Sequence, residues 1–353
     1  MGWSQEESDW QHLYRERFRA LHNFATLGFY WWSYEPERGK PRHAYMDAVL
    51  EWADSVDLEC KGHPLVWNLG DAAWYPSNLD ELRRLSDERV HDCVSRFAGE
   101  IDMWDVVNEV TNPFRDENAD GRFTAAWKEF GRIEFAKRSF QIARRANPNA
   151  TLLINDYLLG ADYEAVVEAL VDDDGARLYD VIGLQTHQHG RPTALEDVWD
   201  TCERHARFGV PLHFTETTFV SGPGKWDDWG ETTGEGEAKQ AEDVEAFYRA
   251  VFSHPAVDAL TWWDLSDLHA WQRVPSGLLR DDMSPKPAYD RLMRLIHQEW
   301  HTSTQAATDE HGVATARAFY GDYDVTVTGM NGTQMQDTVS FQKDGTTEFE
   351  IRA

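Results

Sequence analysis

Two glutamates carry the most pointed chemistry in this 353-residue sequence. Glu109 closes the apolar stretch Trp104-Asp105-Val106-Val107-Asn108-Glu109, and Glu216 follows the apolar run Pro211–Thr215. Cleaving a glycosidic bond requires such a pair of carboxyl groups: one gives a proton to the leaving oxygen, and the other attacks or supports the oxocarbenium-like centre. A chain with 62 acidic residues places some of them at such positions by chance, so the pair alone is weak. Its company strengthens it. Other apolar runs end in Lys61-Gly62-His63-Pro64-Leu65-Val66-Trp67-Asn68, Asn155-Asp156-Tyr157, Gln185-Thr186-His187-Gln188-His189 and Trp262-Trp263-Asp264, with Trp271 shortly after. The indoles of Trp67, Trp263 and Trp271 offer flat apolar faces to the C–H groups of a pyranose.

Convergence of these residues needs a scaffold that gathers strand ends. Seven short apolar runs, Ala25–Tyr30, Glu59–Trp67, Ile101–Asn108, Thr151–Asn155, Val181–Thr186, Pro211–Thr215 and Ala259–Trp263, alternate with amphipathic helical stretches from about residue 5 to 299. The helical patterns include Ser8–Leu21, Tyr45–Ala53, Leu79–Phe97, Ala125–Ala146, Ala194–Phe208, Glu237–Phe252 and Lys286–Gln298. This rhythm predicts an α/β fold, a (β/α)₈ barrel whose βα loops collect at one face, with a doubly wound open sheet as the alternative. The chain opens into a helix before its first apolar run, so the first barrel strand is expected upstream of Met1, and the chain is expected to be a fragment or to use a substitute segment at that edge. With that strand counted, Glu109 and Glu216 close the fourth and seventh strands, which face each other across a barrel mouth. Residues 1–299 are expected to form the barrel and 300–353 a small all-β domain, with strands near Tyr323–Thr328 and Thr338–Phe341. Beyond Trp300 that tail has no Trp and no evident sugar-stacking row, which favours a packing module over a binding one.

The stretches Gly62-His63-Pro64-Leu65-Val66-Trp67, Trp104-Asp105-Val106-Val107-Asn108-Glu109, Ile154-Asn155-Asp156-Tyr157, Ile182-Gly183-Leu184-Gln185-Thr186-His187, Thr215-Glu216 and Pro285-Lys286-Pro287-Ala288-Tyr289 together resemble glycoside hydrolase family 10, the endo-1,4-β-xylanases. The resemblance spans roughly residues 5 to 299. It implies a (β/α)₈ barrel that hydrolyses internal β-1,4 linkages of xylan or a close relative with retention, Glu109 acting as acid/base and Glu216 as nucleophile. It further implies that Asn108 contacts the sugar 2-hydroxyl, that His63, Trp67, Gln185 and His187 line the subsite before the cleaved bond, and that Trp263 and Trp271 cover it. No metal or organic cofactor is implied. A retaining pair sits about 5 to 5.5 Å apart, with the acid/base raised in pKa and the nucleophile ionised.

The sequence departs from the family pattern at several positions. Asn68 stands where His is usual and Thr218 where an Asp commonly orients the histidine equivalent to His187; Leu27 and Tyr30, followed by Trp31 and Trp32, replace an Asn and a Lys that bind a more distant sugar. A glycone side rebuilt around aromatics is expected. These departures keep two alternatives open: a hydrolase of another β-glycoside, and a non-catalytic carbohydrate-binding barrel.

Plainer roles are expected for several neighbours. His187 and His189 alternate as a metal pair would, but no further ligand falls at a matching strand end; His189, His205 and His213 are expected to be surface or structural. Asn155, Asp156 and Tyr157 are expected to buttress the rim, and Asp105 to be a structural hydrogen-bonder. The stretch Ser221–Gly236 lacks a phosphate-loop pattern and is expected to shape the cleft, with Trp226 and Trp229 as candidates for touching substrate. Cys60, Cys93 and Cys202 are odd in number and widely spaced, so buried free thiols are expected.

Composition narrows the partners. The net charge of −28, with 8 Lys against 26 Arg, repels a phosphate backbone, so nucleic acid is not expected. An acidic, Lys-poor chain suits concentrated salt, where screening removes self-repulsion. No apolar run is long enough for a bilayer span and the first ten residues lack the order of a secretory signal. A polysaccharide partner nevertheless implies export, and hence a trimmed start; the chain is expected to act as a monomer without a membrane partner.

Overall fold

Seven apolar runs become seven parallel strands: β1 (Phe24–Gly28), β2 (Glu59–His63), β3 (Met103–Asn108), β4 (Thr151–Asp156), β5 (Val181–Gln188), β6 (Leu212–Phe219) and β7 (Val257–Trp262). The computed structural model describes residues 8–224, 229–343, 345 and 347–351. Contacts divide the chain into two units, Met1–Asp290 and Arg291–Ala353. In the first unit the strands pair in sequence order as one sheet, the neighbour relation of a barrel; the open doubly wound alternative would have reversed that order. The strands β1 and β7 also touch, so the sheet is nearly closed.

The strands read as nearly continuous apolar runs because helices cover a parallel sheet on its outer face while side chains fill the inside. Leu152, Leu153 and Ile154 of β4 are all fully buried, as are Val106 and Val107 of β3. Among the described residues, ten α-helices precede, connect or follow these strands: α1 (Asp9–Leu21), α2 (Trp31–Tyr34), α3 (His43–Ser55), α4 (Leu79–Arg96), α5 (Arg122–Phe130), α6 (Arg132–Ala146), α7 (Ala161–Ala169), α8 (Leu195–Ala206), α9 (Gly234–Phe252) and α10 (Pro287–Arg294). Side chains cap three of them: Ser8, Asn78 and Thr233 accept from the backbone N–H three residues on.

The single helix expected over Ala125–Ala146 is two. Gly131 adopts a left-handed φ of 80°, which ends α5 and starts α6 in a new direction. The helices α2 and α7 were also not foreseen. The first is a single turn, and the second lacks a clear apolar stripe, with only Tyr163, Val166 and Val167 buried.

Packing inside the barrel is tight where β2 meets β3. A Cβ on Gly62 would lie 2.2 Å from the Trp104 ring. Gly62→Ala is therefore expected to destabilise the protein by about 1–3 kcal/mol, as overpacking does. The check is a lowered urea midpoint at unchanged slope; an unchanged midpoint would show that the indole can move aside.

Charges are buried in the same interior. Lys61 and Asp105, both almost fully buried, pair at 2.6 Å, and Asp105 also holds His63 Nδ1 at 2.7 Å. Asp105 is thus a structural hydrogen-bonder. Burial alone would raise its pKa, but Lys61 and His63 hold it below its ordinary value. On β6, burial and the Lys61 charge push His213 down to about 4. The unfolded chain takes up this proton near pH 6.5, so from about pH 6.5 down to 4 it binds more protons than the folded protein. Stability from this group is full above that window and is lost as pH falls through it. Denaturant midpoints across this range should fall with pH, and His213→Gln should flatten the slope.

The second unit contains one antiparallel hairpin, β8 (Gly321–Thr328) and β9 (Gln334–Phe341), in a register that sets Tyr323 opposite Val339. Gly332, at φ 81°, lies in the connecting turn. Tyr323, Val325 and Val327 alternate with exposed Asp322, Asp324 and Thr326, which gives the hairpin one half-buried face. No helix among the described residues is long and apolar enough to cross a membrane.

Candidate active site

The C-terminal ends of the strands carry both glutamates, and three of the strands are irregular just before them. The pairing register shifts between Asp105 and Val107 on β3, between Leu184 and Gln185 on β5, and between Phe214 and Thr217 on β6. Such irregularities re-aim side chains. Here they precede or contain Asn108, Gln185 and Glu216.

Glu109 is the first residue beyond β3. Its φ is 57°, a left-handed conformation rare for a residue with a long side chain, and its N–H donates to the Asn155 carbonyl at 2.9 Å. The side chain is buried, and Trp67 Nε1 donates to its Oε2 at 3.1 Å. The Arg115 guanidinium pairs with the same oxygen, and Gln185 Nε2 reaches Oε1 at 3.4 Å. Glu216 is buried as well. Asn155 Nδ2 donates to its Oε1 at 2.9 Å, His187 Nε2 donates to its Oε2 at 2.9 Å, and His63 Nε2 lies 3.7 Å away.

One amide network joins the two acids. Asn108 Oδ1 accepts from Gln185 at 3.1 Å and from Asn155 at 2.9 Å, while Gln185 also touches Glu109 and Asn155 also touches Glu216. Asn155 Oδ1 takes the Thr215 hydroxyl, which fixes the amide orientation so that Nδ2 faces both acceptors.

The two carboxyl groups have opposite environments. Burial raises Glu109 above its ordinary pKa, Arg115 pulls it back in part, and the charges of Glu216 and Asp156 add to the rise. Burial would raise Glu216 too, but the His187 hydrogen bond and the charges of His63 and His187 bring it below its ordinary value. Two acids whose pKa values are driven apart can divide the roles of proton donor and ionised nucleophile.

Aromatic rings wall the site. Trp263 meets His63 and His187 edge-on at centroid distances of 5.7 and 5.6 Å. Trp271, partly exposed, lies 4.9 Å from His187 and 5.2 Å from His189. Asp264 holds the Trp271 loop by accepting from the Trp271 N–H at 3.1 Å and the Ser276 hydroxyl at 2.9 Å. Buried Lys286 bridges Asp267 at 2.7 Å and Ser221 at 3.0 Å, which ties the loops after β6 and β7 together. On the other side Tyr30 packs between His63 and Trp67 and stacks on Trp32 at 5.9 Å.

The nine residues singled out in the sequence, Glu109, Glu216, His63, Trp67, Asn108, Gln185, His187, Trp263 and Trp271, are thus linked by contacts into one cluster. The departures from the family pattern are accommodated. Thr218 Oγ1 bonds His187 Nδ1 at 3.2 Å, and Asn68 donates to the Pro113 carbonyl at 2.5 Å and to Thr124 Oγ1 at 2.9 Å. Leu27 is a buried residue of β1, whereas Tyr30, beyond the strand end, reaches the site.

Asp156 is architectural: it accepts from the N–H groups of Thr111, Tyr157 and Leu158. Asn155 is more than a rim residue, because it binds Glu216. His189, His205 and His213 are all buried, so none of them is a surface residue. Trp229 is buried against His189, while Trp226 lies outside the described residues. Cys60, Cys93 and Cys202 are free and buried. Among the described residues no group of three or more His, Cys, Asp or Glu could hold a metal ion.

Sequence reasoning missed Arg115 and underweighted Asn155. Arg115 is the sole basic residue between Glu109 and Gly121, a signal that was available. Nothing in the sequence shows that its loop folds back.

Comparison with known proteins places this geometry among relatives. A model described as glycosyl hydrolase family 10 matches residues 13–295. Endo-1,4-beta-xylanase B of Thermotoga neapolitana is 26% identical over 304 residues, covering 81% of this chain and 84% of that protein. Anti-sigma-I factor RsgI6 of Acetivibrio thermocellus is 26% identical over 306 residues; the match covers 84% of this chain but only 36% of that longer protein. The fold is shared with the crystal structure of xylanase 10B from Thermotoga petrophila RKU-1 in complex with xylobiose, at a TM-score of 0.70 and 24% identity over 83% of this chain and 91% of that one.

Proposed function

The chain belongs to glycosyl hydrolase family 10, and from that membership we propose that it is a retaining endo-1,4-β-xylanase in which Glu109 is the acid/base and Glu216 the nucleophile. What supports the division of roles is the contrast in surroundings: His187 and Asn155 each donate to Glu216 at 2.9 Å and His63 lies 3.7 Å away, which holds it below its ordinary pKa, whereas burial and the neighbouring carboxylates hold Glu109 above its own.

In the first step Glu109 protonates the glycosidic oxygen, whose bond to the anomeric carbon breaks as a Glu216 oxygen bonds to that carbon and the shortened chain leaves as an alcohol. In the second Glu109 takes a proton from water, whose oxygen displaces Glu216 from the same carbon. His187 and Asn155 orient the nucleophile through one oxygen each. Asn108, held by two amides, is suited to the sugar 2-hydroxyl, where hydrogen bonds strengthen as the ring flattens toward the transition state. His63, Trp67, Gln185 and His187 line the subsite before the cleaved bond, and Trp263 and Trp271 cover it.

The test is reducing-sugar release from β-1,4-xylan, in low and in molar salt, with products sized by chromatography. Short oligosaccharides are expected. No release from xylan, with turnover of another β-glycoside, would replace the substrate; binding without any turnover would return the barrel to a carbohydrate-binding role.

A further inference from the structure

The loop that leaves Glu109 returns to it. Arg115 places its guanidinium on Glu109 Oε2, 5.5 Å over the Tyr157 ring, and Glu117 lies 3.7 Å from its Nε. Arg115 Nε donates to Asn118 Oδ1 at 3.3 Å; buried Asn118 donates in turn to Asn68 Oδ1 at 3.0 Å. Asn68 is anchored by Pro113 and Thr124. A hydrogen-bonded chain therefore runs from Asn68, in the loop after β2, through Asn118 and Arg115 to the acid/base carboxyl. Resting on the glycosidase reading above, we propose that Arg115 is a positioning residue, held by Asn118 and Asn68, that clamps Glu109 in its carboxylate form and so stabilises the glycosyl-enzyme state that links the protonating first step to the water-activating second one.

The proton ledger shows where the clamp acts. In step one the Glu109 proton leaves with the glycosidic oxygen, so Glu109 ends as the carboxylate that Arg115 pairs with. Step two starts from that same carboxylate, which takes a proton from water as the glycosyl–Glu216 bond breaks. A cation on Oε2 stabilises the state between the two steps and opposes the protonated state that begins the first. Several groups face Glu109: Arg115 from its own loop, Glu216 from β6, Asp156 from β4 and the Tyr30 phenol beyond β1. The two carboxylates and burial favour proton retention, and Arg115 opposes them. Arg115 itself faces Glu109, Glu117 and Tyr157.

The experiment compares the full chain with Arg115→Met and Arg115→Lys. It measures kcat/KM on a xylo-oligosaccharide against pH, kcat on an aryl β-glycoside whose leaving group needs no proton, and the titration of the Glu109 carboxyl by carbon NMR. Arg115→Met should move the alkaline limb up by about one pH unit or more, the scale of removing an adjacent opposite charge. It should not lower kcat on the aryl substrate, whose second step starts from the carboxylate that the clamp stabilises, while Arg115→Lys stays near the wild type on both substrates. An alkaline limb and a Glu109 titration that stay in place in a folded Arg115→Met variant overturn the proposal. If no β-glycoside is turned over by any form, the glycosidase reading fails, and the NMR titration alone decides whether Arg115 sets the Glu109 proton affinity.

Discussion

Replacing Glu216 by alanine is expected to reduce xylan hydrolysis by on the order of 10⁴-fold or more, because the change removes the oxygen proposed to bond to the anomeric carbon. The Asn155 amide and the His187 and His63 imidazoles that surround Glu216 are donors to it and cannot replace an anionic oxygen. The variant should keep its fold, since the change removes a buried charge and leaves the amide network between Asn155, Asn108 and Gln185 intact. Circular dichroism checks that, and reducing ends from β-1,4-xylan measure the loss. A small external anion such as azide should enter the vacated space and restore turnover of an activated aryl glycoside, giving a product of inverted anomeric configuration. A variant that keeps more than roughly a hundredth of the wild-type rate would remove Glu216 from the nucleophile role.

Glu109→Gln should separate the two steps by their substrates. Glutamine keeps an acceptor for Trp67 and Arg115 but has no acidic proton, so cleavage of xylan, whose leaving alcohol needs that proton, should fall by about 10²–10⁴-fold. With a nitrophenyl glycoside the first step needs little protonation and should persist. Water activation then lacks its base, the glycosyl-enzyme accumulates, and KM should drop together with kcat. The alkaline limb of the pH profile, set by a carboxyl that burial holds above its ordinary value, should disappear. Equal losses on both substrates would show that Glu109 does not protonate the leaving group.

Much of this architecture was legible in the residues, for a physical reason. Strands buried on both faces must be apolar along their length, so β3 and β4 stand out against amphipathic neighbours, and polar residues that close such runs have to lie at the barrel rim. That logic located Glu109, Glu216, Gln185 and Trp263 before any coordinates. It could not reach Arg115, because a loop residue's partner is decided by the path of the loop, here fixed by Asn118 and Asn68. Asn155 was visible at its strand end, but its bond to Glu216 depends on which way one amide turns, and Thr215 decides that across the barrel. The break between α5 and α6 was written in Gly131, yet apolar periodicity continues past it and hides a change of direction that only backbone conformation reveals.

The left-handed backbone at Glu109 sets catalysis and robustness against each other. Holding a long side chain at positive φ costs about 1–2 kcal/mol, and glycine would not incur that cost. A laboratory selection that rewards thermal resistance alone is therefore drawn toward Gly or Asn at this position, and each step that way discards the proposed proton donor. Variants bred for endurance need a simultaneous activity screen, or the first improvement they find will be an inert barrel.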